Sequence, residues 1–261
     1  MKRKLVIVGA LLFVLSVCQG GLAATLKVGA TPVPHAEILE RVVPILSEQG
    51  ITLEIVEFTD YVRPNLALQD GDLDANFFQH VPYLESFNED AGTDLVSLAG
   101  IHIEPLGVFS EKLASLDELP ARASIAIPND ATNGGRALLL LQEAGLISLD
   151  PAAGITPTVF DITANERQLR FVELEAAQLV RSLPDVHAAV INGNYALQAD
   201  LNPIKDAIFL EGAESPYVNI IAVRAGDTER ADLQQLVQAL LRDEIRQFIL
   251  DEYQGAVVPV F

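Results

Sequence analysis

The imidazole and thiol side chains are few: four histidines, His35, His80, His102 and His187, and one cysteine, Cys18. None of the histidines stands at a spacing that brings imidazoles onto one metal, and Cys18 has no second thiol to join it in a ligand set or a disulfide. Phosphate chemistry is no better served. Asn133-Gly134-Gly135-Arg136 lacks both the lysine of a P-loop and the glycine spacing of a dinucleotide-binding turn. Missing motifs argue against an enzyme without excluding one, because an acid and a base carboxylate can stand far apart in sequence. What the chain does carry is a scatter of polar and aromatic residues: Tyr61, the run Asn76-Phe77-Phe78-Gln79-His80-Val81-Pro82-Tyr83, the segment Pro128 to Arg136, Asn192 and Asn219. These fall at strand ends and helix starts, where open α/β sheets bind ligands.

The elements that must position them alternate. A β-like run at Thr25 to Ala30 leads into a helical pattern from Ala36 to Glu48 and the alternating strand Thr52 to Phe58. A helix near Arg63 to Gln69, a strand near Leu73 to Phe77, a helix from Val81 to Asn88 and a strand from Leu95 to Ala99 follow. Such alternation predicts a mainly parallel sheet covered by helices on both faces. A second series begins at Ser124 to Ile127, passes through a helix at Thr132 to Ala144, and includes strands near Phe171 to Leu174 and Ala188 to Ile191. Two α/β lobes are therefore expected. The apolar stretches Ile103 to Ser110 and Tyr217 to Arg224 are the candidate connections between them, and the helical tail, Glu229 to Leu241 and Asp243 to Tyr253, returns to the first lobe. The expected boundaries are a leader over 1–23, a discontinuous first lobe over 24–108 and 222–261, and a second lobe over 109–221.

Lys2, Arg3 and Lys4 precede an unbroken apolar run from Leu5 to Val17, the layout of a signal peptide, and the run is too short to span a bilayer. Two processing routes stay open. Gly21-Leu22-Ala23 suits ordinary cleavage after Ala23, whereas Leu15-Ser16-Val17-Cys18 resembles a lipobox that would place lipid on Cys18, with Val17 the poor fit. The expectation is export to the periplasm or cell envelope. The formal net charge is −19, and losing the leader removes three more positive charges, which argues against nucleic-acid partners.

Several long segments in the same order resemble the NlpA family of methionine-binding lipoproteins, which serve methionine ABC importers. They are Phe58-Thr59-Asp60-Tyr61-Val62, Asp74-Ala75-Asn76 with Phe78-Gln79-His80, Pro128 to Arg136, Val172-Glu173-Leu174-Glu175-Ala176, and Glu214-Ser215-Pro216-Tyr217-Val218-Asn219. The resemblance covers essentially the whole chain beyond the leader. It implies a type II periplasmic-binding-protein fold, two α/β lobes joined by two crossover connections, with ligand held in the cleft between them. It also implies a site made of Tyr61, Phe78, His80, Tyr83, Arg136, Asn192 and Asn219. No metal or organic cofactor is implied. The expected partners are methionine or a similar amino acid and the membrane permease of the importer, with a monomer as the default state. Another small amino acid, a methionine-containing dipeptide, and an exported two-lobed enzyme are the rival readings.

The chemistry of those residues can be read beside the resemblance. An amino acid presents a carboxylate, an ammonium group and a side chain. Arg136, near the start of a predicted helix, can fork two hydrogen bonds onto a carboxylate, or instead form a surface or interlobe salt bridge. Asn192 and Asn219 can turn amide oxygens to the ammonium, or serve as turn residues and strand-end caps. Tyr61, Phe78 and Tyr83 can wall a slot for a thioether, with core packing the competing role. His80 either donates to ligand or braces that slot, and of the alternating pair Phe77 and Phe78 one should face the core.

Overall fold

The computed structural model describes residues 24–212 and 215–261. The leader, Cys18 and both cleavage routes lie outside the described residues, as does Glu214. The chain runs β1 (Ala24–Ala30), α1 (Glu37–Glu48), β2 (Ile51–Glu57), α2 (Arg63–Asp70), β3 (Ala75–His80), α3 (Val81–Ala91) and β4 (Leu95–Ile103). It continues through β5 (Gly107–Phe109), β6 (Ser124–Pro128), α4 (Ala131–Glu143), β7 (Ser148–Leu149), β8 (Ile162–Ala164), β9 (Arg170–Leu174) and α5 (Leu179–Ser182). Then come β10 (Ala188–Ile191), α6 (Gly193–Gln198), α7 (Pro203–Asp206), β11 (Phe209–Leu210), β12 (Val218–Arg224), α8 (Ala231–Leu240), α9 (Asp243–Tyr253) and β13 (Val258–Pro259).

Two sheets divide these strands. One has the order β13-β4-β12-β3-β1-β2 and the other β11-β5-β10-β6-β9, with β7 and β8 as a small separate hairpin. The first sheet is mixed and not mainly parallel: β1 runs parallel to β2 and β3, but β12 is antiparallel to both β3 and β4. The reason is connectivity, since β12 enters from the second lobe and not through a helical crossover within the first. Each sheet is buried on both faces. In α1 the residues Ile38, Leu39, Val42, Ile45 and Leu46 recur every three or four positions and pack with Leu233, Leu236 and Leu240 of α8 on one face of the first sheet. Leu68, Leu84 and Ile220 form the core on its other face. In the second lobe Leu138 and Leu141 of α4 cover Ile125 and Val190, while Leu179 and Tyr195 cover Ala189 on the reverse side.

Sheet membership shifts the expected lobe edges by a few residues. Gly107 and Val108 already pair with Ile191 and Val190 in the second sheet, and Val218 to Ile221 already run in the first. The crossings are thus Glu104 to Leu106 and the segment between β11 and β12. The apolar residues that marked longer connections are strand residues inside the sheets.

The Gly134-Gly135 pair has a packing reason. A Cβ on Gly135 would stand 2.7 Å from the backbone of Thr156 and 3.0 Å from the carbonyl of Ile155, so α4 can lie against that segment only without a side chain there. Because the obstacle is main chain, Gly135→Ala should destabilise the fold by about 1–3 kcal/mol, lowering the melting temperature by roughly 2–10 °C. A thermal melt checks this, and an unchanged midpoint would show that the segment yields.

Candidate functional site

One small cavity lies between the lobes. From the first lobe it takes Tyr61 ahead of α2, Phe78, Gln79 and His80 at the end of β3, Tyr83 in the first turn of α3, and Asn219 at the start of β12; Glu104 projects from the first crossing. From the second lobe it takes Asn133 and Arg136 of α4, and Asn192, Gly193 and Asn194 where β10 turns into α6. All seven residues picked out in the sequence therefore line one cavity. Phe77 and Phe78 divide as alternation requires, Phe77 entering the first-lobe core and Phe78 facing the cavity. Gln79 and Asn133 stood in the quoted segments but not among the seven, and Glu104, Gly193 and Asn194 were not picked out. The signal for Glu104 was available, since with His102 it is one of two titratable residues in an otherwise apolar stretch from Ile101 to Leu106.

The floor of β3 is fixed by amides. Asn65 and Gln79 exchange side-chain hydrogen bonds at 2.8 and 2.7 Å, and Asn76 donates to Asn65 Oδ1 at 2.8 Å, so three buried amides satisfy one another. His80 caps α3, its Nδ1 accepting from the Tyr83 N–H at 3.2 Å, which leaves its proton on Nε2, 3.2 Å from Asn133 Oδ1 across the cleft. Burial, with the Arg136 charge behind it, pulls the His80 imidazole down to about 3, so the ring is neutral. Two further bonds bridge the lobes: Tyr61 Oη to Asn194 Oδ1 at 2.5 Å, and Tyr195 Oη to the Thr59 carbonyl at 3.2 Å. The aromatic wall is continuous, with the Tyr61 ring 5.9 Å from both Phe78 and Tyr83. The Tyr83 hydroxyl is spent on the Tyr61 carbonyl, at 3.0 Å, and burial holds both phenols well above their usual range.

Arg136 is buried and already holds one carboxylate. Its Nε donates to Glu211 Oε1 at 2.9 Å, its Nη2 donates to Glu211 Oε2 and, at 2.9 Å, to the Glu104 carbonyl, and its guanidinium lies 4.2 Å over the Tyr217 ring. Nη1 alone has no hydrogen-bond partner among the described residues. Arg136 thus forms a buried salt bridge within the second lobe, neither on the surface nor between the lobes, and still lines the cavity. Asn192 donates to Asn133 Oδ1 at 2.8 Å, and its own Oδ1 is buried without a partner; Asn194 Nδ2 is likewise buried and unpaired. Asn219 has its Oδ1 3.1 Å from His35 Nε2.

The histidines need a correction. His35 and His102, distant in sequence, converge with Glu104 so that one ligand atom of each lies within 4.8 Å of the others. The fold supplies a proximity that spacing along the chain could not show. His102 Nε2 hydrogen-bonds Glu104 Oε1 at 2.8 Å, whereas His35 Nε2 lies 3.3 Å from that oxygen but makes its hydrogen bond to Asn219 Oδ1, at 3.1 Å. Burial lowers His35 to about 4 and His102 to about 3, so both rings are neutral near pH 7, and burial raises Glu104 against the Arg136 charge.

The family model of the NlpA lipoproteins matches residues 26–261. This chain belongs to that family. Among relatives, it is 45% identical over 225 residues to the D-methionine-binding lipoprotein MetQ of Escherichia coli, covering 85% of this chain and 82% of the relative. It is 41% identical over 238 residues to the methionine-binding lipoprotein MetQ of Bacillus subtilis, covering 89% and 87%. A nutrient-binding protein from Burkholderia cenocepacia, solved bound to methionine, superposes with a TM-score of 0.88 at 47% identity, over 90% of this chain and all of that one. The two-lobed architecture is that of the family's periplasmic binding proteins. Among the described residues no helix is long and apolar enough to cross a membrane.

Proposed function

We propose that this chain is the substrate-binding component of an ABC importer, capturing methionine in the interlobe cavity and presenting it to the membrane permease. One observation carries the reading. A buried acceptor, Asn192 Oδ1, and a buried donor, Asn194 Nδ2, stand unpaired in a cavity that also holds a cation, Arg136, and an acid, Glu104. Unpaired buried polar groups are costly, so such a set is complementary to a ligand that brings both signs of charge. In this reading Arg136 Nη1 and Asn194 meet the carboxylate, Asn192 and Glu104 meet the ammonium, and Tyr61, Phe78 and Tyr83 enclose the thioether. His80 and Asn219 act mainly as braces, through Asn133 and His35.

Selenomethionine tests the pose directly, because the only methionine and cysteine of the chain are Met1 and Cys18, so selenium in the crystal belongs to ligand. Its anomalous peak should fall among Tyr61, Phe78 and Tyr83. Calorimetry should show methionine binding one to one, with norleucine weaker by roughly two- to tenfold for the lost sulfur–aromatic contacts. Selenium outside the cavity, a dipeptide such as Gly-Met binding more tightly than methionine, or turnover of methionine on incubation would each overturn the reading.

A further inference from the structure

Glu104 stands in the first crossing, ahead of Pro105, and is only 5% exposed. A carboxylate there keeps its charge only if it is well supplied with donors. Its Oε1 lies 2.8 Å from His102 Nε2 and 3.3 Å from His35 Nε2. The ring tautomers follow from the opposite nitrogens. His102 Nδ1 is buried without a partner, so the ring proton belongs on Nε2, where an acceptor waits. His35 Nδ1 lies 2.7 Å from Thr31 Oγ1, which can donate to it and leave Nε2–H to donate to Asn219 Oδ1. Phe77 fixes both rings edge-on, at centroid distances of 4.6 Å to His35 and 5.3 Å to His102. From the second lobe the backbone N–H of Asn194 helps hold the same carboxyl down. There Gly193 leaves the necessary room, since a Cβ on it would stand 2.9 Å from Glu104 Cβ.

We infer that His102 is a positioning residue: as a neutral N–H donor it holds the Glu104 carboxylate ionised and aimed at the ligand's ammonium group, with His35 packed beside it and tied to Asn219. The inference rests on the reading above, in which Glu104 meets that ammonium. The other groups facing Glu104 are Arg136, whose Nη2 bonds the Glu104 carbonyl at 2.9 Å, and the phenols Tyr61 and Tyr253, which stay protonated. Burial opposes the ionised form, and the Arg136 charge and the Asn194 N–H favour it. A protonated Glu104 cannot attract an ammonium group. Affinity therefore falls as pH drops through the Glu104 pKa, and deleting an imidazole donor raises that pKa and moves the fall to higher pH.

His102→Phe keeps the packing against Phe77 and removes the donor. It should weaken methionine binding by about threefold at pH 8 but more than tenfold at pH 6, relative to the unaltered protein. His102→Gln, which restores an N–H at similar reach, should return the original profile. A loss by the same factor at both pH values, or a His102→Gln profile no better than that of His102→Phe, overturns the inference. A measurement on the unaltered, methionine-saturated protein covers the case in which His102→Phe does not fold. Imidazole ¹⁵N shifts should report both rings neutral and protonated on Nε2 from pH 8 to pH 6, and an Nδ1–H tautomer or a titration in that range overturns it. Glu104→Gln separates the two levels of the argument. It should flatten the pH dependence and harm methionine more than its des-amino analogue, 4-(methylthio)butanoate. Equal harm to both removes the ammonium contact and the inference with it, whereas discrimination by Glu104→Gln alongside parallel His102→Phe profiles removes the inference alone.

Discussion

Arg136→Ala should weaken methionine binding by about 100-fold or more and also destabilise the empty protein by about 3 kcal/mol, two losses with different origins. The first comes from the ligand carboxylate, which loses a charge-assisted partner inside a closed cavity. The second comes from Glu211, whose side chain is 12% exposed and accepts from both Arg136 and the Leu106 N–H at 3.2 Å. Without Arg136 that carboxylate is left buried and unpaired beside the crossing. Glu211→Gln dissects the pair. It should cost stability while leaving binding intact or tighter, because the guanidinium is then freer to serve ligand. Calorimetric titration, set beside urea unfolding of the same variants, reads both quantities. A loss of stability with binding changed less than threefold would make Arg136 an anchor for β11 and take it out of the ligand contacts.

The helices and their buried faces were legible because the apolar period of α1, α4, α8 and α9 is set by local packing geometry. The strands were less so. Ala75 to His80 is buried at every position, so β3 shows no alternation, and its start is displaced in the sequence reading by two residues. The polar residues there are tolerated because Asn65, Asn76 and Gln79 satisfy one another, a closure that only the fold reveals. The same limit governs the site. The position of Arg136 at a helix start was readable, but its pairing with Glu211, 75 residues on, was not. Nor was the convergence of His35 and His102 beside Glu104, which brings a segment ahead of α1 to the end of β4. Asn192 and Asn219 read alike in sequence, yet Asn192 keeps an unpaired buried oxygen while that of Asn219 meets His35.

The same buried imidazoles predict a steep loss of stability in mild acid. His35, His80 and His102 have folded-state values of about 4, about 3 and about 3, each lowered chiefly by burial from an ordinary value of 6.5. Below pH 6.5 the unfolded chain takes a proton at each position and the folded chain does not, so the unfolded state binds up to three more protons and stability falls with pH. At about 1.4 kcal/mol per proton per pH unit, the three together remove roughly 5 kcal/mol between pH 7 and pH 5. That is comparable to the whole stability of an ordinary domain. Glu104 works the other way, because its raised folded value lets the native state take a proton early, but it offsets one proton against three. Asp60 and Asp232, held below the usual range chiefly by hydrogen bonds from Arg63 and Arg230 against the pull of burial, add their loss only further down, as pH falls through the carboxylate range. Urea midpoints measured at half-unit steps should drop steeply from pH 6.5 to pH 5 and shift upward with saturating methionine. His80→Gln should remove about a third of the slope. A midpoint that stays level down to pH 5 would show that the native state charges these rings as readily as the unfolded chain does, and would end the claim that burial keeps them neutral.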